Sequence, residues 1–430
     1  MPQTERKYMM QKLFLIILVI SLIPAEVDAA TLTLSECLGK SATANPDLKV
    51  ASFDERIAAE GIGIARSGYL PRLNLQGGYT VQQDPQSINL QGRSVQTQQA
   101  NYAFTSVALE QTLYDFGRTS ARLDRAKALR DASAFSYTAL EKDVFLQVVH
   151  AYYGILESGK RLQAAEEEVV QMADHLRIAK NLFEQGVVTR NDLLQAEVQL
   201  ANSKQQRLMA SNLVENGWLH LNYLTGRPST FRADLEEAVP ADSMPVEGEK
   251  GFSPQNRAEI NALRKGIAAD EMAVKESRSN YFPELFTRLG ADYVENDRVQ
   301  EQVILYATVG LRINLFDGLA TTSRLRQAVQ SRSRSEEQLR QLEAGIRLEY
   351  DTAVNDARIA AERIRTTEQS VRQGEENLRI NKDRYQEHVG TATDVIDAQT
   401  LLTRTKTEYN RALFDYEVAL ARIKKAKGEL

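Results

Sequence analysis

A chain of 430 residues with 43% hydrophobic and 26% charged residues has the composition of a folded protein, which excludes wholesale disorder. Its formal charge of −5 lacks the basic excess a nucleic-acid partner requires. One cysteine, Cys37, and four scattered histidines exclude a disulfide framework and a cysteine-built metal site.

The N-terminus reads as a targeting signal. Arg6, Lys7 and Lys12 precede the apolar run 13–23, then Pro24 and a Val27-Asp28-Ala29 cleavage site. The run is too short to span a bilayer as a helix. Residues 1–29 are expected to be a signal peptide, and no later run is long and apolar enough for a transmembrane helix. The mature chain is therefore expected to be exported.

A first repeat is assigned to 30–228. Ser35 is placed as the cap of a short helix, and Asn45 followed by Pro46 opens a second. That helix is expected to be interrupted at Gly61 and Gly63 and stopped by Pro71. The period then changes. Leu73, Leu75, Gly77, Tyr79 and Val81 alternate with Arg72, Asn74, Gln76, Gly78 and Thr80, a strand with one apolar face. Residues 83–99 read as a polar loop and 101–114 as a second strand. A helix from Arg118 to about Phe183 follows, with Val148, Ile155, Leu162, Val169, Leu176 and Phe183 in one heptad register. Small or flexible residues stand three places later: Ala151, Ser158, Ala165, Met172 and Ala179. A strict seven-residue period imposes a left-handed supercoil. At 1.5 Å per residue such a helix is roughly 100 Å long. A returning helix ends at Thr225-Gly226.

Residues 229–255, with Pro240, Pro245 and Pro254, read as a linker, and the pattern restarts over 256–430. Strands are expected at 285–293 and at 303–315. The seam returns 202 places on as Tyr350, Ala357, Ile364, Val371, Leu378 and Tyr385. LFDG (315–318) echoes LYDFG (113–117), so Asp115 recurs as Asp317.

Each repeat supplies two strands, too few to close a barrel, and an open edge in lipid leaves backbone groups unpaired. The pattern therefore predicts an α+β membrane protein in which copies pool their strands, three copies giving a twelve-stranded outer-membrane barrel continued by an α-helical barrel. Two other readings stand beside it. One is a soluble two-layer sandwich, the other a secreted or periplasmic structural or adhesive coiled coil without channel activity. No nucleophile elbow, phosphate loop or His/Cys cluster is present, and Glu166, Glu167 and Glu168 read as a solvated helix face, so neither an enzyme nor a cofactor nor a metal site is expected.

The opening TLTLSECLGKSATANPDL is followed along the mature chain by SGYLPRL, LYDFGR and GVVTRNDLLQAEVQL, and the same order then returns as SNYFPEL, LFDG and GTATDVIDAQTLL. In that order the chain resembles the outer-membrane efflux protein family of TolC-like channel-tunnels. The resemblance implies a homotrimer in the outer membrane with a large periplasmic portion, in tripartite efflux or type I secretion. It implies docking to a periplasmic adaptor and, indirectly, to an inner-membrane transporter, the duct itself being passive. It makes Gly186, Val187, Val188 and Thr189 the first adaptor-docking tip, and Val389, Gly390 and Thr391 the second. Asp394 and Asp397, on one helix face, are expected to ring the pore entrance with carboxylates that raise each other's pKa, with Asp192 from the first repeat. A purely structural reading makes Asp394 a helix N-cap and Asp397 an exposed first-turn acid, and for Asp394 both readings can hold at once. Some family members hold the entrance shut with a tyrosine and an arginine near the second tip. Tyr385 suits the first role, Ala392 and Thr393 occupy the arginine's region, and Arg190 is the candidate substitute.

Overall fold

The computed structural model describes residues 31–237, 248, 251–387 and 389–430. The expected signal peptide, much of 229–255 and His388 lie outside the described residues.

Helix α1 (Leu34–Ala44) is capped by Thr33 rather than Ser35, because Glu36 at the third position completes a reciprocal capping box with it. Asn45 caps α2 (Pro46–Arg66) as expected, accepting from the N–H groups of Asp47 and Leu48. The helix runs unbroken through Gly61 and Gly63 and ends in a 3₁₀ turn, Ser67–Tyr69. Then come β1 (Arg72–Val81), β2 (Ser87–Leu90), β3 (Arg93–Gln96), β4 (Asn101–Tyr114), α3 (Arg118–Glu184) and α4 (Arg190–Thr225). The second half repeats the plan with α5 (Ala258–Ser279), β5 (Glu284–Val294), β6 (Val303–Arg312), α6 (Ala320–Gln386) and α7 (Ala392–Lys427).

Two stretches differ from the sequence reading. The polar loop 83–99 holds a hairpin, β2 with β3, turned by Gln91 (φ 50°) and Gly92 (φ 84°). Both central residues have positive φ, the backbone of a tight hairpin turn, and Gln-Gly is a weaker signal for it than Asn-Gly. The fourth strand ends at Arg312, three residues short of Leu315.

The main sheet has the order β1-β4-β5-β6, antiparallel throughout. Register carries the alternation across all four strands. Leu73 faces Leu109, Leu109 faces Leu289, and Leu289 faces Ala307. One face is thus apolar from edge to edge and open to solvent, with Leu75, Val81, Leu305 and Val309 each at least 70% exposed. The opposite face pairs glycines with aromatics. A Cβ on Gly78 would meet the Phe104 ring at 2.8 Å, one on Gly310 the Phe286 ring at 2.7 Å, and Gly290 lies under Tyr306. These rings cover backbone that glycine would leave bare.

Both strand-to-helix joints use one device. Asp115 Oδ2 accepts from the N–H and hydroxyl of Thr119, and Asp317 Oδ2 from those of Thr321. The chain turns through left-handed Phe116-Gly117 in one joint and Gly318-Leu319 in the other. That is why Asp115 and Asp317 recur in the sequence.

Above the middle of the rod the helices lie in the order α2-α3-α5-α6, and below it α4-α3-α7-α6. The largest core sits at mid-rod, where Val144, Val148 and Tyr152 of α3 meet Cys37, Leu48, Trp218 and Leu221. The Tyr152 hydroxyl reaches the carbonyl oxygens of Leu32 (2.9 Å) and Glu236 (2.8 Å). Along α3 the small companions Ala151, Ser158, Ala165, Met172 and Ala179 are all buried, whereas Phe183 at the end of the apolar register is exposed. The α6–α7 seam is alanine-rich: Ala353, Ala357, Ala360 and Ala412 are at most 3% exposed.

Candidate functional site

Two regions can carry function: the tips, where each long helix turns back, and the unpaired edges of the protomer.

At the first tip Val187 N–H donates to Leu182 O and Gly186 N–H to Phe183 O, both at 2.9 Å, with Gly186 at φ 71°. This pair of bonds around a left-handed glycine is the Schellman helix end. At the second tip Val389 N–H donates to Arg384 O at 2.9 Å, the matching bond. By the 202-residue offset Gly390 corresponds to Val188, not to Gly186. Its φ is not left-handed. A Cβ there would stand 3.2 Å from Arg384 Cβ and from Tyr385 N, so glycine serves close approach of backbone rather than backbone freedom.

Thr189 and Thr391 are the N-caps of α4 and α7, each in a capping box with an aspartate three residues on. Thr189 N–H and hydroxyl both donate to Asp192 Oδ2 at 2.8 Å. Thr391 N–H donates to Asp394 Oδ2 at 3.0 Å, and Asp394 N–H returns to Thr391 Oγ1 at 3.2 Å. Asp394 is thus the third helical residue and not the cap. Those bonds from Thr391, with the Arg384 guanidinium nearby, hold its carboxyl below the usual carboxylate range within the single chain. Asp397 is exposed one turn along α7.

Tyr385 is 6% exposed with its ring 5.5 Å from that of His175. Burial, then the Asp192 carboxylate, pushes its phenol pKa up. The Asp192 carboxylate thus acts on Tyr385 across the two tips, and the Arg384 guanidinium acts on Asp394. Arg190 is exposed at the start of α4. Two residues escaped the sequence reading here. Arg384 precedes the second tip, whereas the family's arginine is expected beyond it, and His175 falls off the heptad register.

The edges are the second region. Among the described residues, strands β1 and β6 each lack one neighbour. On the β1 side α2 exposes Val50, Phe53, Ile57 and Ile64, a stripe at helical spacing with 57% or more of each residue uncovered. Where sheet meets helices, Tyr69, Tyr114, Phe116, Tyr281, Phe282 and Phe316 are exposed. A belt of aromatics at one rim of an apolar band is what a membrane–water interface favours.

The family model described as outer membrane efflux protein matches residues 38–227 and 253–429. The chain belongs to the outer membrane efflux protein family. It is 24% identical over 435 residues to the outer membrane protein TolC of Vibrio cholerae, covering 95% of each chain. It is 22% identical to the alkaline protease secretion protein AprF of Pseudomonas aeruginosa, over 76% of this chain and 69% of that one. Its fold matches the outer membrane channel CmeC of Campylobacter jejuni with a TM-score of 0.82 at 17% identity, covering 92% of this chain and 85% of that one. As an efflux-family member the protein is an outer-membrane channel with a periplasmic tunnel, and the family is one of transport, not of enzymes. The reading as a structural coiled coil without channel activity has no support among these relatives.

Proposed function

We propose that three copies of this chain close into one tube, the outer-membrane exit duct of a tripartite efflux or type I secretion system. Two repeats, 30–228 and 256–430, joined by 229–255, would each give two strands to every copy. The observation that carries this is the pair of unsatisfied edges: β1, with the α2 stripe, on one side and β6, with α6, on the other. A head-to-tail contact between unlike edges closes into a ring, and each backbone edge left in lipid would cost several kcal/mol per unpaired group. Two copies would give eight strands, whose interior side chains fill, whereas three give twelve and leave a passage.

At the far end, Gly186, Val187 and Thr189 with Val389, Gly390 and Thr391 would meet a periplasmic adaptor that links the duct to an inner-membrane transporter. Both turns are tight and end in capped helices, which presents short rigid tips. Threefold repetition would set Asp394, Asp397 and Asp192 around the entrance as a cation-binding ring, with Tyr385, and Arg190 or Arg384, as groups that tie one hairpin to the next. The test is conductance of the detergent-extracted protein in planar bilayers. Trivalent cations should block it, and the block should be lost in the double variant Asp394→Ala plus Asp397→Ala. Unchanged block would remove the ring.

A further inference from the structure

Close to the tips, α3, α6 and α7 line a partly open cavity of about 190 Å³ whose walls include Met172, His175, Lys382, Tyr385, Val395 and Gln399. Each of the three helices contributes one polar side chain that is more than nine-tenths buried: His175 (5% exposed), Tyr385 (6%) and Gln399 (5%). His175 Nε2, the Tyr385 hydroxyl and Gln399 Oε1 have no hydrogen-bond partner among the described residues. Seam packing alone would favour alanine or leucine at such positions, as at Ala179, Leu378 and Leu402. Buried polar groups without partners cost stability and persist where they serve a purpose.

The charged groups facing His175 are few. Helix α3 itself brings Asp174 and Arg177, and α6 brings Lys382, whose Nζ donates to Gln171 Oε1. Helix α7 brings no charged residue to the wall, and Asp192 acts across the tip on Tyr385. Burial alone lowers the pKa of the His175 imidazole, with no carboxylate offsetting it. In this packing burial disfavours the charged ring relative to the neutral one.

We propose that His175 is a proton-sensitive pin of the entrance: while it is neutral, α3 stays packed on α6 and α7, and once protonated it drives the two helical hairpins apart. This rests on the duct reading above. The linkage follows from solvation. A conformation that exposes the ring lets it take a proton at the ordinary imidazole pKa near 6.5, so acidification below that value favours the parted form. The capping-box bonds of Asp192 and Asp394 are local to each tip and survive the parting.

The test compares the full protein with His175→Gln in planar bilayers at about pH 7.5 and about pH 5.5, with hydrogen exchange of residues 171–179 measured in parallel. Acidification should raise the wild-type conductance, and His175→Gln should match wild type at the higher pH and lose that rise. An equal rise in His175→Gln, or no rise in wild type, overturns the pin. Absence of current from both proteins at both pH values would instead overturn the duct. Exchange then still judges the pin: protection of 171–179 should fall on acidification in wild type, and unchanged protection rejects it even where the variant does not fold.

Discussion

Single residues at the tips act through backbone geometry more than through charge. Removing the cap with Thr391→Ala should cost about 1 kcal/mol of local stability. The expected outcome is faster hydrogen exchange in the first turn of α7, with the first tip unchanged as an internal control. His150 gives a pH prediction. It lines a cavity of about 330 Å³ at mid-rod with Glu157 and Arg422, and burial first, then the Arg422 guanidinium, lowers its pKa. A histidine depressed on folding contributes stability above its unfolded value near 6.5, lost as pH falls through the folded one. His150→Gln should therefore raise the melting temperature at about pH 5.5 and leave it unaltered at about pH 8. An equal shift at both pH values would deny the linkage. At this scale the sequence was informative about type and not about role. Asp394, Thr391 and Gly390 all drew attention, yet only the folded turn made Thr391 the cap, Asp394 its partner, and Gly390 a point of close approach.

Among the elements, the two long helices hold together through small side chains. Ala357, wholly buried between α6 and α7, should not accept a larger residue. Ala357→Leu overpacks that seam and should cost about 1–3 kcal/mol, read as a lower unfolding midpoint for the rod. The heptad spacing shows this seam directly, since a seven-residue period in a helix has one physical meaning. The strands are as legible, because alternation of Leu73, Leu75, Tyr79 and Val81 fits only a pleated strand with one apolar face. The β2–β3 hairpin was not legible. Its strands are four residues each and exposed throughout, so Ile88 and Leu90 alternate with Ser87 and Asn89 over too short a run to mark a strand, and its turn is Gln-Gly. The glycine–aromatic pairs were hidden for a different reason. Gly290 and Tyr306 are partners only once the register of β5 against β6 is set.

For the molecule as a whole, the decisive feature is incompleteness. Phe53→Asp combined with Ile57→Asp places two carboxylates in the exposed α2 stripe, which no element among the described residues covers. The expected result is loss of the trimer in native mass spectrometry, with the helical content of the protomer kept. A trimer that survives both charges would show that this stripe is not the contact. Periodicity and duplication were enough to indicate strands, rods, the twofold plan and the family, because each follows from local spacing along the chain. The order β1-β4-β5-β6, the edges left open, and the meeting of His175 with Tyr385 and Gln399 required the fold. Those residues lie up to 224 positions apart, and nothing in local spacing says which faces of two 67-residue helices turn toward each other.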